Sequence, residues 1–297
     1  PGCKQKRGQF NQTRPEELIT FIMKQAVEKT PNLSVDHFDD VMLGCAFPEA
    51  EQGLNLGRVA LKMAGFPDKV SGATVNRFCA SGLEAIALAS MRVQMGWSDI
   101  TMGAGVESMT YVPMGGNNPR PHPEYSRTDP EMFVSMGITA ENVAERYKIT
   151  REDQDAFAAA SQAKAARARD NGLFTEIVPT PAIKYVKQDD GTYKKEQFVV
   201  KHDDGIREST VEALAKLRTV FKANGTVTAG NSSQTTDGAA ATIIASKEKC
   251  EELGLTPLAR LVAYTTVGCK SDEMGVGPRY AIPKVLEQTG MTIDDID

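Results

Sequence analysis

Five cysteines, at positions 3, 45, 79, 250 and 269, carry most of the reactive chemistry in this 297-residue chain. Their number is odd and no two stand as CxxC, so the pattern suits independent thiols in a reducing compartment. It does not suit a disulfide framework or a zinc or redox pair. The three histidines, His37, His122 and His202, have no metal-ligand spacing to a cysteine, so no metal site is expected. One thiol stands apart. Cys79 lies in Val75-Asn76-Arg77-Phe78-Cys79-Ala80-Ser81-Gly82-Leu83, where a strand pattern runs into a helix pattern. A helix N-terminus offers unpaired N–H groups and partial positive charge, and both favour the nucleophilic thiolate. The small Ala80, Ser81 and Gly82 let a carbonyl approach the backbone, where the Cys79 amide can steady an oxyanion. The other reading of Cys79 is a buried structural thiol.

The remaining thiols read as structural. Cys45 lies within an apolar run, Cys250 on a Lys/Glu-rich helix, and Cys269 at a strand end. The histidines sit in acidic or Pro-rich loops, none placed as a base for Cys79, so the partner such a nucleophile needs is unaccounted for. A second cluster, Gly225-Thr226-Val227-Thr228-Ala229-Gly230-Asn231-Ser232-Ser233-Gln234-Thr235-Thr236-Asp237-Gly238, can bring small residues and hydroxyls against a polar ligand. It can equally be a loop whose Asn and Asp fix turns. A Rossmann fingerprint, a P-loop and a GxSxG elbow are absent.

The elements around these residues alternate. The spacing predicts a helix after Thr13–Glu16, read as a capping box, then a strand over 41–46 and a helix over 56–64. A strand over 73–76 leads through Cys79 to a helix carrying Leu83, Ile86, Ala87, Ser90, Met91 and Val93, read as largely buried. A strand over 100–106 follows. Pro113 to Pro130 reads as loop, 139–147 and 150–171 as helices, and 184–208 as a hairpin turning at Asp190-Gly191. Beyond Gly238 come a strand (239–245), a helix (247–253), a strand (258–267) and a helix (280–289). Strands alternating with helices indicate parallel βαβ units and an α/β fold.

With 34 Lys+Arg against 39 Asp+Glu the net charge is −5, and no basic run exists, so nucleic acid is not an expected partner. No run of about 18 apolar residues spans a membrane, and the first residues lack the apolar region of a secretory signal. A cytoplasmic location is expected, with mitochondrial or peroxisomal alternatives in a eukaryote. The cadence Leu33-Ser34-Val35-Asp36-His37-Phe38-Asp39-Asp40 returns as Met291-Thr292-Ile293-Asp294-Asp295-Ile296-Asp297. This echo points to a duplicated α/β unit whose second copy is only begun, so chain beyond residue 297 is expected.

Taken together the motifs resemble a known family. Asn76-Arg77-Phe78-Cys79-Ala80-Ser81-Gly82 is similar to the thiolase nucleophile motif, and Gly105-Val106-Glu107-Ser108-Met109 to the segment following it. Met136-Gly137-Ile138-Thr139-Ala140-Glu141-Asn142-Val143-Ala144, then Gly230-Asn231-Ser232-Ser233 with Asp237-Gly238, and Met274-Gly275-Val276-Gly277-Pro278 are similar in the same order. Pro113-Met114-Gly115-Gly116 and Ser232-Ser233-Gln234 look more like 3-ketoacyl-CoA thiolases than biosynthetic acetoacetyl-CoA thiolases.

The resemblance implies a duplicated βαβαβ core in α-β-α-β-α layers with an inserted loop domain. Residues 1–112 would form the first core half with the nucleophile, and 113–228 the loop domain over CoA. Residues 229–246 would return to the first half, and 247–297 would begin the second. It implies β-oxidation chemistry through an acyl-Cys79 intermediate, with coenzyme A as substrate and no other cofactor. Met136 would lie beside the acyl chain, Ser233 with Ala229 would contact CoA, and Met274 would line the cleft. A homodimer or homotetramer is implied. The family's later Asn, His and second Cys motifs, and its first strand, are expected outside this chain, leaving it inactive or poorly folded alone. The alternatives are an acetyl-CoA acetyltransferase making acetoacetyl-CoA, and a non-catalytic thiolase-like module binding lipid or CoA.

Overall fold

The computed structural model describes residues 1–297. Its strands are β1 (Cys3–Lys4), β2 (Asp40–Gly44), β3 (Ser71–Val75), β4 (Ile100–Glu107), β5 (Thr180–Lys187), β6 (Tyr193–Val200) and β7 (Thr236–Ala245). Its helices are α1 (Pro15–Glu28), α2 (Leu56–Met63), α3 (Ser81–Gln94), α4 (Tyr125–Thr128), α5 (Met136–Tyr147), α6 (Arg151–Asp170), α7 (Val211–Ala215), α8 (Lys247–Leu253) and α9 (Gly277–Thr289). The residues cluster as two compact units. The first holds Pro1–Pro119, Glu176–Gly205 and Thr235–Leu261; the second holds Arg120–Thr175, Ile206–Gln234 and Val262–Asp297.

The first unit is built on a five-stranded sheet of order β1-β7-β4-β2-β3. Strand β2 runs parallel to β3 and β4, whereas β7 runs antiparallel to β4 and to β1. The sheet is therefore mixed and not wholly parallel: the polypeptide between β4 and β7 returns it to the sheet in the opposite sense. Alternation of side chains assigns the two faces. Val41, Leu43, Met102 and Ala104 pack with Ile19, Met23, Ala60 and Leu61 of α1 and α2. Met42 packs instead with Ala85 and Ala89 of α3.

Helix α3 lies close to the sheet because glycines face it. A Cβ on Gly103 would stand 2.7 Å from the Ile86 Cα, and one on Gly44 would stand 2.6 Å from the Gly82 nitrogen. The close approach selects the small face of α3. Ala85, Ala87 and Ala89 are buried, while Leu83 and Met91 are exposed, which corrects the expected burial of those larger residues.

Other expectations are also revised. Helix α1 starts at Pro15 with Arg14 as its cap, whose amide donates to Glu17 Oε2 (3.2 Å). Thr13 is buried and its hydroxyl accepts from the Ile183 amide (2.9 Å) instead. A strand that the spacing does not predict, β1, is present as two residues held by pairing with Thr236 and Asp237. Such a strand is too short to leave a periodic signal. The β5–β6 hairpin turns at Gly191, with φ +83°, as the Asp-Gly pair predicts. It clusters with the sheet unit and not with the rest of 113–228, and the Ile183 and Tyr185 amides donate to Thr13 and Gln12.

Residues 258–267, read as a strand, have no regular structure, since an apolar run becomes a strand only where another strand pairs with it. The two copies of the internal echo both fold as a 3-10 turn, Val35–His37 behind Ser34 and Ile293–Asp295 behind Thr292. No helix is long and apolar enough to cross a membrane.

Candidate active site

Strand β3 ends at Val75, and the chain makes a 3-10 turn over Phe78–Ala80 before α3 begins. Cys79 is the middle residue of that turn and is exposed. Phe78 holds φ at +47°, a conformation that costs a non-glycine residue roughly 1–3 kcal/mol. Three hydrogen bonds hold it there. Asn76 Oδ1 accepts from the Phe78 amide (2.7 Å), Ser81 Oγ accepts from the Arg77 amide (2.9 Å), and the Ser81 hydroxyl donates to the Phe78 carbonyl (2.6 Å). Asn76 and Ser81 of the motif thus maintain the strained backbone that leads into the thiol. Arg77 reaches forward along α3 to Glu84 (2.5 Å).

A second polar layer lies beneath this turn. Glu107, at the end of β4, accepts from the Ala46 amide (2.7 Å), the Phe47 amide (3.3 Å) and Gln52 Nε2 (2.7 Å). Gln52 is fully buried, and its carbonyl oxygen accepts from the Ser108 amide (2.5 Å). The loop so fixed presents Phe47 against Phe78, with ring centroids 5.9 Å apart. The chain from Glu107 through Phe47 to Phe78 therefore supports the residue preceding the thiol.

The other cysteines divide in two. Burial, reinforced by the Glu107 carboxylate, pushes the Cys45 thiol up to about 12, and burial with the Asp204 carboxylate pushes Cys3 up to about 11. Both remain protonated thiols at neutral pH. Cys269 is exposed and Cys250 partly so. Exposure alone does not distinguish Cys79 from Cys269; the strained, hydrogen-bonded turn does. His37 accepts from the Ser34 amide (3.0 Å) and His122 stacks edge-on to Tyr125.

The remaining sequence-derived candidates all stand in the second unit. Met136 opens α5 and is 42% exposed; Met274 lies in the 3-10 segment Ser271–Val276 and is 40% exposed. Ala229 and Ser233 are both exposed on the loop before β7. That loop is held by Asn231, whose side chain accepts from the Thr228 amide (2.7 Å) and donates to Asp155 Oδ1 (3.0 Å) and the Thr226 carbonyl (3.1 Å). Asp155 is buried and paired with Arg151 (2.7 Å) one helical turn away. The segment carrying Met274 is held to α5: Asn142 donates to the Asp272 carbonyl (2.9 Å), and Arg146 pairs with Asp272 and with Glu273 (3.0 Å).

Sequence reading missed Glu107, Gln52, Glu141, Asp155 and Arg146 as supporting residues. Glu107 and Glu141 lie within the quoted motifs, but nothing local says that a carboxylate faces inward. No group of three or more His, Cys, Asp or Glu residues is arranged to hold a metal ion.

Comparison with known proteins decides the family. The model of the thiolase N-terminal domain matches residues 2–248, and that of the thiolase C-terminal domain matches residues 255–297. The chain belongs to the thiolase family. It is 42% identical over 298 residues to the 3-ketoacyl-CoA thiolase of Bacillus subtilis, covering 100% of this chain and 76% of that protein. It is 44% identical to the human peroxisomal 3-ketoacyl-CoA thiolase, covering 99% of this chain and 69% of that one. Among solved thiolase structures, the dimeric peroxisomal thiolase of Saccharomyces cerevisiae superposes with a TM-score of 0.84 at 34% identity, over 100% of this chain and 75% of that one. The acetyl-CoA acetyltransferase of Bacillus anthracis superposes with a TM-score of 0.85 at 34% identity, over 100% and 76%. The thiolase matches bear out the resemblance and the α/β thiolase fold.

Proposed function

We propose that this thiolase is an acetyl-CoA C-acyltransferase that cleaves 3-ketoacyl-CoA with coenzyme A, the thiolytic step of fatty acid β-oxidation. The observation that carries the reading is Cys79, an exposed thiol on a turn whose strained backbone is held by Asn76 and Ser81.

In the first half-reaction the Cys79 sulfur attacks the C3 ketone carbon, and the Cys79 amide serves as a donor to the developing oxyanion. Collapse of the tetrahedral species breaks the C2–C3 bond. The two-carbon fragment departs as the enolate of acetyl-CoA and takes up the proton that the thiol gave up. The remaining acyl group is a thioester on Cys79. In the second half-reaction the thiolate of free CoA attacks that thioester, forms the shortened acyl-CoA and releases the Cys79 thiolate. Thioester exchange between two good leaving groups suits a soft nucleophile. Met136 would border the acyl chain, Ala229 and Ser233 would contact CoA, and Met274 would line the same cleft. Coenzyme A enters as substrate and not as a resident cofactor, and the functional assembly is a homo-oligomer.

The test is mass spectrometry of the protein after mixing with a 3-ketoacyl-CoA in the absence of free CoA. The reading expects the mass of one shortened acyl group on the Cys79 peptide, discharged on addition of CoA. A protein that never acquires the adduct, while binding acetyl-CoA, would instead be a non-catalytic module. The likeness to the acetyl-CoA acetyltransferase structure favours one further comparison. Thiolysis faster on acetoacetyl-CoA than on longer 3-ketoacyl chains would assign the biosynthetic type.

A further inference from the structure

Helix α5 has two working faces within the second unit. On one, Gly137, Glu141 and Glu145 follow at four-residue spacing and meet the segment that runs from Phe221 to Val227. The Phe221 ring lies over Gly137, where a Cβ would collide with it. Glu145 pairs with Lys222 at the exposed end (2.6 Å). Between them Glu141, 3% exposed, aims a carboxylate at the backbone of the loop. Its oxygens accept from the Thr226 amide (2.9 Å), the Val227 amide (2.8 Å) and the Thr226 hydroxyl (3.1 Å). A Cβ on Gly225 would lie 2.7 Å from the Glu141 carboxyl carbon, so the loop approaches this close only with glycine there. On the other face, Asn142 and Arg146 hold the segment of Met274. Met136 is the first residue of the same helix.

We propose that Glu141 is the positioning residue for coenzyme A binding, fixing Thr226 and Val227 so that Ala229 and Ser233 are presented in register with Met136, on the same helix, and with Met274, in the segment that Asn142 and Arg146 hold to that helix. The inference rests on the assignment of Ala229 and Ser233 to CoA made above, and it deepens that assignment. A buried carboxylate is suited to the task because hydrogen bonds to a charged acceptor are short and directional, and a loop held by three of them has little freedom to drift. An apolar contact would hold the loop without fixing its register. Glu141 itself touches no substrate in this scheme. Its effect therefore falls on affinity and leaves the chemistry of Cys79 alone.

The experiment measures three things on the full chain: the acetyl-CoA dissociation constant by calorimetry, KM for CoA with kcat in thiolysis, and the rate of Cys79 alkylation by iodoacetamide. Glu141→Ala is expected to weaken acetyl-CoA binding and raise KM by about 10- to 100-fold, the loss of hydrogen bonds to a charged group. kcat should hold within about twofold and Cys79 alkylation should not change. Glu141→Gln keeps one acceptor oxygen and should recover most of the affinity. A general loss of structure would instead move kcat, alkylation and KM together. If Glu141→Ala does not fold, Thr226→Val, which removes the hydroxyl bonded to Glu141, decides: a raised dissociation constant supports the proposal. Affinity equal to wild type in folded Glu141→Ala or Thr226→Val overturns it, as does a fall in kcat without a rise in KM. The two readings fail separately. A wild-type protein that transfers no acyl group defeats the functional proposal, and the binding measurement still decides this one. An active wild type with indifferent Glu141 variants defeats this one alone.

Discussion

The two units hold their functional residues by different physics. In the first, packing places the helix that the nucleophile leads into, since Gly44 and Gly103 let α3 settle on the sheet, while hydrogen bonds of the exposed Asn76 side chain and of Ser81 hold the strained turn at Phe78. In the second, the candidate CoA loop is placed by buried carboxylates, Glu141 and Asp155, each accepting hydrogen bonds from loop backbone or side chain. Packing tolerates small changes in volume at graded cost. A buried carboxylate network is less forgiving, because removing one partner leaves the others desolvated and unpaired. The contact of α3 with the sheet should therefore bend under substitution where the loop's carboxylate frame breaks.

The largest effect expected lies outside that contrast and calibrates it. Cys79→Ser should lower thiolysis by about 10⁴-fold or more with the fold retained, since removal of a catalytic nucleophile costs that order. Loss of 3-ketoacyl-CoA followed under single-turnover conditions measures it. Next comes Asp155→Ala in the second unit, which strips Arg151 and Asn231 of a buried partner. It should cost about 3 kcal/mol in urea unfolding. A cost below that of the packing variant that follows would reverse the comparison.

In the first unit, Gly103→Ala drives a methyl group into Ile86 of α3 and should cost about 1–3 kcal/mol. It should also slow Cys79 alkylation, because the turn moves with the helix; an unchanged alkylation rate would uncouple the turn from α3. The smallest effect concerns alkaline pH. Cys45 holds its proton up to about 12 in the folded state, against an ordinary value of 9.0. Between those values the folded protein binds a proton that the unfolded chain has lost, so stability falls as pH rises through the window. Cys45→Ala should flatten the decline between about pH 9 and 12 in denaturant titrations, and an equally steep decline would assign it elsewhere.

Local chemistry wrote several elements legibly. Helix α8 runs from Lys247 to Leu253 as expected, because Ser246 accepts from the Lys249 amide and Gly254 closes it in the left-handed conformation. Helix α6 begins behind Thr150 for the same reason. The hairpin turn and the thiol at the entrance to α3 were equally readable, since turn and cap residues act within three or four positions. What failed was nonlocal. The apolar run over 258–267 has a strand's composition and no strand beside it. Leu83 and Met91 looked like core, yet glycines on the sheet brought the alanine face inward. Thr13 looked like a cap until β5 claimed its hydroxyl.

The amino-acid sequence alone determined that Cys79 sits at a strand-to-helix turn, that the chain is an α/β protein of the thiolase kind, and which loop carries Ala229 and Ser233. Those are properties of short windows and ordered motifs. Only the tertiary structure decided that β7 runs antiparallel beside β4, that Phe47 braces Phe78, and that Glu107, Glu141 and Asp155 face inward to hold backbone. Each of those joins residues tens of positions apart, and whether a carboxylate meets water or buried amides depends on what folds over it.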